Sequence, residues 1–246
     1  MSDLPQDIQD FVFDLHQATR RSRIESEIAE LYDVTFVELS NKYYTTAQWP
    51  STSAVASECQ GDVEFLMLYR QITFRHIFTK QLKPQISDRI DCWNNFTSLF
   101  DFILTSPNPD MAVSTQWAYD IMQEFVYHFQ DFCRERTSKR QEKDIATLTE
   151  NPTAWTLPEV SRILTGLIAK RATSSAQIYQ LLGYFAELEQ ARLECLLCDF
   201  SSSVAMLPLS RVLDRSELFT QVTSCHISVL WHTGVSLLMM RRYTDV

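Results

Sequence analysis

The sequence predicts an all-α fold in which antiparallel helical hairpins form a degenerate, tetratricopeptide-like helical-repeat solenoid. Three observations lead there. Apolar residues recur every three to four positions along almost the whole chain, the spacing that gathers them on one face of a helix. No stretch sustains the strict alternation of a half-buried strand. Only four glycines occur in 246 residues, whereas tightly turned strands draw on Gly with Asn or Asp.

Residues 1–47 read as N-terminal amphipathic helices. Ile24, Ile28, Leu31, Leu39 and Tyr43 share one face, and "RRSRIESEIAE" sets charges on the other. Residues 48–150 read as a helical bundle. In "DVEFLMLYRQITFRHIFTK", Phe65, Leu66, Leu68, Tyr69, Ile72, Phe74, Ile77 and Phe78 cover nearly all sides, so this helix should be buried against several neighbours. Pro84 marks the next start, and Ile86, Ile90, Trp93, Phe96, Phe100 and Ile103 line one face. "SPNPD" (106–110) breaks the chain, and Trp117, Ile121, Phe125, Phe129 and Phe132 form the following stripe. The charged "CRERTSKRQEKD" (133–144) reads as an exposed helix end and loop.

Residues 151–246 read as tetratricopeptide-like repeats. Pro152 disfavours helix at Asn151, and a short helix follows around Val160, Ile163, Leu164, Leu167 and Ile168. "RATSSAQ" (171–177) is a polar connector. Ile178, Leu181, Phe185 and Leu188 open a long helix, and 222–238 forms another. Connections this short favour antiparallel hairpins. A tetratricopeptide-like unit carries a small residue in its first helix, an aromatic at the turn and a small residue in its second. "WHTGVSLLMMRRYTDV" fits, with Gly234 small, Leu237 apolar, Tyr243 at the turn, a helix starting at Thr244 and Val246 at the second small position. "CLLCDFSSSV" is a weaker copy, with Asp199 and Phe200 at the turn and Ser203 as the small residue. Phe200 and Tyr243 lie farther apart than the roughly 34 residues of a standard repeat, so the repetition is degenerate.

Composition excludes several function classes. The chain is 45% hydrophobic and 22% charged, enough for one large domain or two small ones with a real core. Neither Gly-rich phosphate cradle, G-x-G-x-x-G or G-x-x-x-x-G-K, is present. The net charge of −9 is opposite to the basic surface of a free-standing nucleic-acid binder. Local basic runs occur at Arg20, Arg21 and Arg23, at Arg134, Arg136, Lys139, Arg140 and Lys143, and at Arg241 and Arg242. Glu135 and Glu142 dilute the middle run, and all three read as solvated faces or helix C-terminal charges; RNA contact through the middle run stays open. "MSDLPQDIQD" lacks a signal-peptide profile, and the nearly apolar 229–240 is too short to span a bilayer. Six cysteines without a secretory signal read as reduced thiols of an intracellular protein, cytoplasmic or nuclear. Neither a membrane nor a small-molecule substrate is expected as a partner.

Little catalytic chemistry is visible. Cys195 and Cys198 form a C-x-x-C, but a redox pair belongs at a helix N-terminus after a strand. As half of a zinc site it would need two more ligands, and only Cys225 and His226 offer themselves. Small buried thiols on a packing face are the simpler reading. None of His16, His76, His128, His226 and His232 falls in H-E-x-x-H, and His76 and His128, in apolar helices, read as hydrogen-bonded core residues. No Ser lies in G-x-S-x-G. No catalytic, cofactor-binding or metal-binding residue is assigned, and no cofactor is expected.

Several stretches go beyond generic helicity: "QWPSTSAVA", "FLMLYRQITFRHIFTK", "SLFDFIL", "TQWAYDIMQEFVYHFQDFC", "NPTAW", "YQLLGYF" and "LLMMRRYTDV", in this order. Their most specific pieces are Leu68-Tyr69 with Arg75-His76-Ile77, Gln116-Trp117 with Glu124-Phe125, Leu182-Gly183-Tyr184-Phe185, and Leu238-Met239-Met240-Arg241-Arg242-Tyr243. Over 48–246, patchily, the chain resembles subunit L of eukaryotic translation initiation factor 3, as a divergent member of that family. The resemblance implies a non-catalytic scaffold subunit acting in assembly of the 43S/48S preinitiation complex on the small (40S) ribosomal subunit and in mRNA recruitment. It implies subunits K and E as neighbours, and helical repeats leading into a PCI module. Three departures stand out: the acidic, Tyr-rich N-terminal tail of animal members is missing, 171–179 is shorter, and the PCI module is absent. The expectation is an N-terminal part of a longer protein, or one that lost its C-terminal half, with apolar surface near Leu237 and Tyr243 awaiting a cover. Another PCI scaffold, from the proteasome lid or signalosome, would share the repeats but not "LYRQITFRHIF" and "QWAYDIMQEF".

Overall fold

A computed structural model describes residues 4–80, 84–107, 109–135 and 142–245. Among them every regular element is helical, and the protein has the all-α helical-repeat architecture that its periodicity predicts. The chain divides into two compact units, 1–117 with 131–156 and 118–130 with 157–246.

The first unit holds α1 (Gln6–Gln17), α2 (Glu25–Ala29), α3 (Phe36–Tyr43), α4 (Thr52–Val55), α5 (Val63–Thr79), α6 (Ile86–Thr105), the ends of α7 (Thr115–Glu135), and α8 (Glu142–Glu150). π-helical turns at Ala18–Ser22 and Glu30–Thr35 follow α1 and α2. They change which N-terminal face is buried. Ile24 and Tyr43 are exposed and Leu31 is half-buried, while Ile28, Tyr32, Phe36 and Leu39 form the core face. A π turn closes i→i+5 hydrogen bonds and so accommodates an extra residue. Steps of four from Ile28 through Tyr32 to Phe36 therefore stay on one side, and the three-to-four pattern that nominated Leu31 is out of phase.

That face meets the start of α7. The Tyr32 ring stacks on Trp117, with centroids 4.7 Å apart and planes 13° from parallel. The Arg75 guanidinium lies 3.9 Å from the centre of the same Tyr32 ring and donates to the Tyr32 carbonyl at 3.1 Å. α5 is buried on several sides as expected, with Phe65, Leu68, Tyr69, Ile72, Phe74 and Ile77 in the core. Its start is fixed by Asp62, whose carboxylate accepts from the Glu64 and Phe65 N–H groups at 3.1 Å each, an N-cap. Burial alone would raise the Asp62 pKa, but the Phe65 N–H, His16 and Arg20 outweigh it and hold the carboxyl below its usual value.

His76 is a hydrogen-bonded core residue. Its Nε2 lies 2.9 Å from the Ala47 carbonyl, which can only accept, so Nε2 carries the proton. Nδ1 then accepts from the Ser40 hydroxyl at 2.8 Å. Burial lowers its pKa and keeps the ring neutral. α6 begins at Ile86 rather than at Pro84, because the Gln85 N–H donates to the Asp88 carboxylate at 2.9 Å and closes a capping box there. Its six predicted stripe residues are all buried. So are Trp117, Ile121, Phe125 and Phe129 of α7, while half-buried Phe132 stacks on Trp155 at 4.7 Å. Most of the predicted charged loop, 136–141, lies outside the described residues.

The second unit holds the middle of α7, α9 (Leu157–Thr173), α10 (Gln177–Leu196), α11 (Phe200–Met206), α12 (Leu209–Val212), a 3₁₀ turn at Leu218–Gln221, and α13 (Thr223–Met239). α10 is its axis, packing on α9, α11 and α13. Helix α9 extends through Arg171 to Thr173, so the expected connector shrinks to residues 174–176. Arg171 is polar because it has partners, not because the chain is a loop there: it pairs with Glu187 at 2.9 Å and lies 5.1 Å from the Tyr184 ring centre. Arg211 approaches that ring at 5.3 Å and bonds Glu187 at 3.0 Å and Glu217 at 2.7 Å. The Tyr184 hydroxyl donates to Glu217 at 2.7 Å and accepts the Phe219 N–H at 3.1 Å. One tyrosine thus ties α9, α12 and the 3₁₀ turn to α10.

Gly183 makes the α9–α10 approach possible. A Cβ there would come within 2.5 Å of the Arg171 Cβ and 2.7 Å of the Leu167 carbonyl oxygen, neither the far end of a flexible chain. Gly183→Ala should gain up to about 1 kcal/mol of helix propensity and lose about 1–3 kcal/mol to overpacking. The net is expected to be destabilising, read as a lower urea midpoint; a rise in midpoint would contradict the close approach.

Candidate interaction surface

Helix α13 has no charged residue between Thr223 and Met239, yet only one of its faces is covered. Cys225, Val229, Thr233, Ser236 and Leu237 point inward and are buried. Ser236 Oγ donates to Ser203 Oγ of α11 at 3.2 Å, and Cys195 Sγ of α10 donates weakly to the His232 carbonyl at 3.6 Å. The outer face carries Ile227, Leu230, Trp231, Leu238 and Met239, all exposed, with Trp231 at 67%. Gly234 sits in the middle of that stripe, and a Cβ on it would meet nothing within 4 Å. Bulky apolar residues on either side of a small one give a face with a shallow notch. Scattered apolar exposure needs no explanation, but a contiguous apolar stripe marks an interaction site.

The stripe runs into a Schellman turn. Arg241 adopts the left-handed conformation with φ 59°; its N–H bonds the Leu238 carbonyl at 3.0 Å, and the Arg242 N–H bonds the Leu237 carbonyl at 2.9 Å. This is the paired 5→2 and 6→1 pattern that ends helices. The expected turn is present with Tyr243, 66% exposed, upon it, but residues 241–245 form turns and no helix starts at Thr244. Val246 lies outside the described residues. In the weaker copy, Asp199 caps α11 by accepting the Ser202 N–H at 3.0 Å, and Ser203 is buried as its small-residue role requires.

The remaining sequence candidates are placed apart. Cys195 is buried, but Cys198 is exposed and left-handed, φ 65°, just past the end of α10. The reading of both as buried thiols is therefore corrected: the helix ends between them. Cys225 is buried, and its thiol pKa is pushed up by burial and by Glu189. No group of three or more His, Cys, Asp or Glu among the described residues is arranged to hold a metal. His16 pairs with Asp62 at 3.1 Å, His128 is buried, and His226 lies half-buried beside the Phe219 ring. His232 Nδ1 donates to the Ser228 carbonyl at 2.7 Å, and burial lowers its pKa. Of the basic runs, Arg20 engages Asp62 and Glu64, Arg23 engages Asp110, and Arg242 engages Asp245. Residues Arg136, Lys139 and Arg140 lie outside the described residues, as do the side chains of Arg134 and Lys143. No described helix is long and apolar enough to cross a membrane.

One cluster has no counterpart among those candidates. Glu189, 2% exposed, accepts from Arg192 at 3.1 Å, and Arg192 also donates to Gln130 of α7 at 2.7 Å. Burial raises the Glu189 pKa while Arg192 opposes the shift. The cavity beside this pair measures about 10 Å³ and is lined also by Cys225 and His232. It is too small for an organic ligand.

Comparison with known proteins places these features in context. Residues 88–246 match the family described as RNA polymerase I-associated factor PAF67. The chain is also similar to proteins called eukaryotic translation initiation factor 3 subunit L. It is 31% identical to that of Mycosarcoma maydis, over 98% of this chain and 39% of the relative. For Nematostella vectensis the figures are 30%, 98% and 50%, and for Homo sapiens 29%, 88% and 42%. The chain thus spans half or less of the length of the curated relatives it matches.

Proposed function

The chain belongs to the PAF67 family, and from that premise we propose that it is a non-catalytic scaffold subunit of eukaryotic translation initiation factor 3, as the names of its relatives suggest. The observation that carries this reading is similarity to subunit L over 98% of the chain. In this role it acts in the cytoplasm, in assembly of the preinitiation complex on the small ribosomal subunit and in mRNA recruitment, with subunits K and E as neighbours. Residues 1–47, 48–150 and 151–246 are its proposed divisions, the last supplying the helical repeats. The mechanism is mechanical: stiff, aromatic-filled helical pairs hold neighbouring subunits at set distances, and the uncharged outer face of α13 is a surface against which an apolar helix packs. Direct RNA contact draws little support from a chain whose Arg20, Arg23 and Arg242 are already paired with carboxylates.

The test is affinity purification of the chain, tagged at its N-terminus, from its own cells, with quantitative mass spectrometry. Subunits of initiation factor 3 and small-subunit ribosomal proteins are expected. Trp231→Asp should cut their recovery about tenfold or more if Trp231 is a buried anchor of the interface, while far-UV circular dichroism stays unchanged. Recovery of RNA polymerase I subunits, in line with the family's description, would replace this function. So would recovery of proteasome-lid or signalosome subunits.

A further inference from the structure

The C-terminal part of α1 and residues 25–31 enclose an open groove of about 570 Å³, within the size range of recognised binding clefts. Its floor is apolar, made by buried Ala18 and half-buried Leu31. Ala18 belongs to the first π turn and Leu31 to the second, so the wide turns that shift the core face of this region also shape the groove wall. Around the floor stand the exposed carboxylates of Asp14, Glu27 and Glu30. Among the described residues none of the three is in an ion pair; Glu27 accepts only from the Ser22 hydroxyl, at 2.7 Å.

Among the described residues no cationic side chain lines the groove. Of the adjacent arginines, Arg20 is engaged by Asp62 and Glu64 and Arg23 by Asp110, and exposed Arg21 is not among the lining residues. The three carboxylates are not among any group arranged to hold a metal ion, and their sign repels nucleic acid and anionic lipid. An apolar floor inside an uncompensated negative rim asks for one kind of occupant. We propose that this groove docks a short amphipathic helix of a partner protein, seating one apolar side chain on Ala18 and Leu31 and presenting Lys or Arg to Asp14, Glu27 and Glu30. The apolar contact supplies the anchor, and the exposed ion pairs supply orientation and a dependence on salt. This goes beyond the family reading and does not rest on it, so failure to recover initiation-factor subunits would leave it standing.

The probe is a fluorescein-labelled Lys/Leu peptide with Leu at helical i, i+3, i+4 spacing, titrated with the full chain by fluorescence anisotropy. Its counterpart has Glu in place of Lys. The groove variant is Asp14→Lys/Glu27→Lys/Glu30→Lys, and the control reverses three exposed carboxylates elsewhere, Asp101→Lys/Glu142→Lys/Glu150→Lys, for the same net charge. Saturable binding of the Lys peptide alone is expected, weakened tenfold or more by the groove variant and fivefold or more by Leu31→Asp, with the control within twofold. If the triple variant loses helicity, Glu30→Lys alone should still weaken binding about threefold. Equal weakening by the control, indifference to Leu31→Asp, or no saturable binding of the Lys peptide would overturn the proposal.

Discussion

Trp117→Ala should destabilise the protein by about 3–5 kcal/mol, the cost of emptying a fully buried indole site. Trp117 is 1% exposed and stacks on Tyr32, which in turn sits under the Arg75 guanidinium. Removing the indole leaves a cavity and takes away one face of that three-part stack. The indole Nε1 makes no hydrogen bond, so the loss is one of packing and ring contact rather than of polar pairing. Trp117→Phe, which keeps an aromatic face against Tyr32, should therefore retain most of the stability. Urea titrations followed by circular dichroism separate the outcomes: a large fall in midpoint for Ala and a small one for Phe, with the slope unchanged. Equal losses for the two variants would mean that neither the ring face nor the volume that Phe restores carries the stability, and would overturn this account. Its consequence in cells should be lower abundance of the protein.

The aromatic positions were legible because packing imposes a period. Ile86, Ile90, Trp93, Phe96, Phe100 and Ile103 repeat at helical spacing in the sequence, and all are buried. Where spacing failed as a guide, a specific physical cause intervened. Nothing in "ELYDVT" announces a π turn, since it depends on hydrogen-bond register and not on residue type, and so the three-to-four spacing takes in Leu31 and passes over Tyr32. In "RATSSAQ" polarity suggested a loop, but Arg171 is polar because Tyr184 and Glu187 hold it on a helix. Cys198 matched a motif whose helix ends at Leu196, two residues before it, and it is exposed. The outer face of α13 was only half legible: its apolar residues were plain, but which side stays uncovered depends on where α10 and α11 pack.

The pair Glu189–Arg192 was invisible for a related reason. In "AELEQARLEC" three glutamates, a glutamine and an arginine look like the wet side of a helix, yet α10 is covered on nearly all sides there: Glu189, Gln190 and Arg192 are buried, and Glu187 and Glu194 are half-buried. Arg192→Met should then cost about 3–5 kcal/mol at pH 7.5, because removing one member of a buried pair leaves the other as an uncompensated charge. Burial already raises the Glu189 pKa above its ordinary 4.5, and Arg192 is what opposes the rise; without it the folded-state value moves higher still. A carboxyl with a raised folded pKa carries no penalty below the unfolded value, where it is protonated in both states. The penalty grows as pH climbs from there to the folded pKa, since over that range the unfolded chain ionises while the folded state still holds its proton. The deficit of Arg192→Met relative to wild type should accordingly shrink as unfolding is measured from pH 7.5 down towards pH 4.5. Glu189→Met/Arg192→Met removes the orphaned charge and should recover most of the loss at pH 7.5, short of the hydrogen bond to Gln130, about 1 kcal/mol. A deficit independent of pH, and not relieved in the double variant, would mean that Arg192 acts through the packing of its stem and not through its charge.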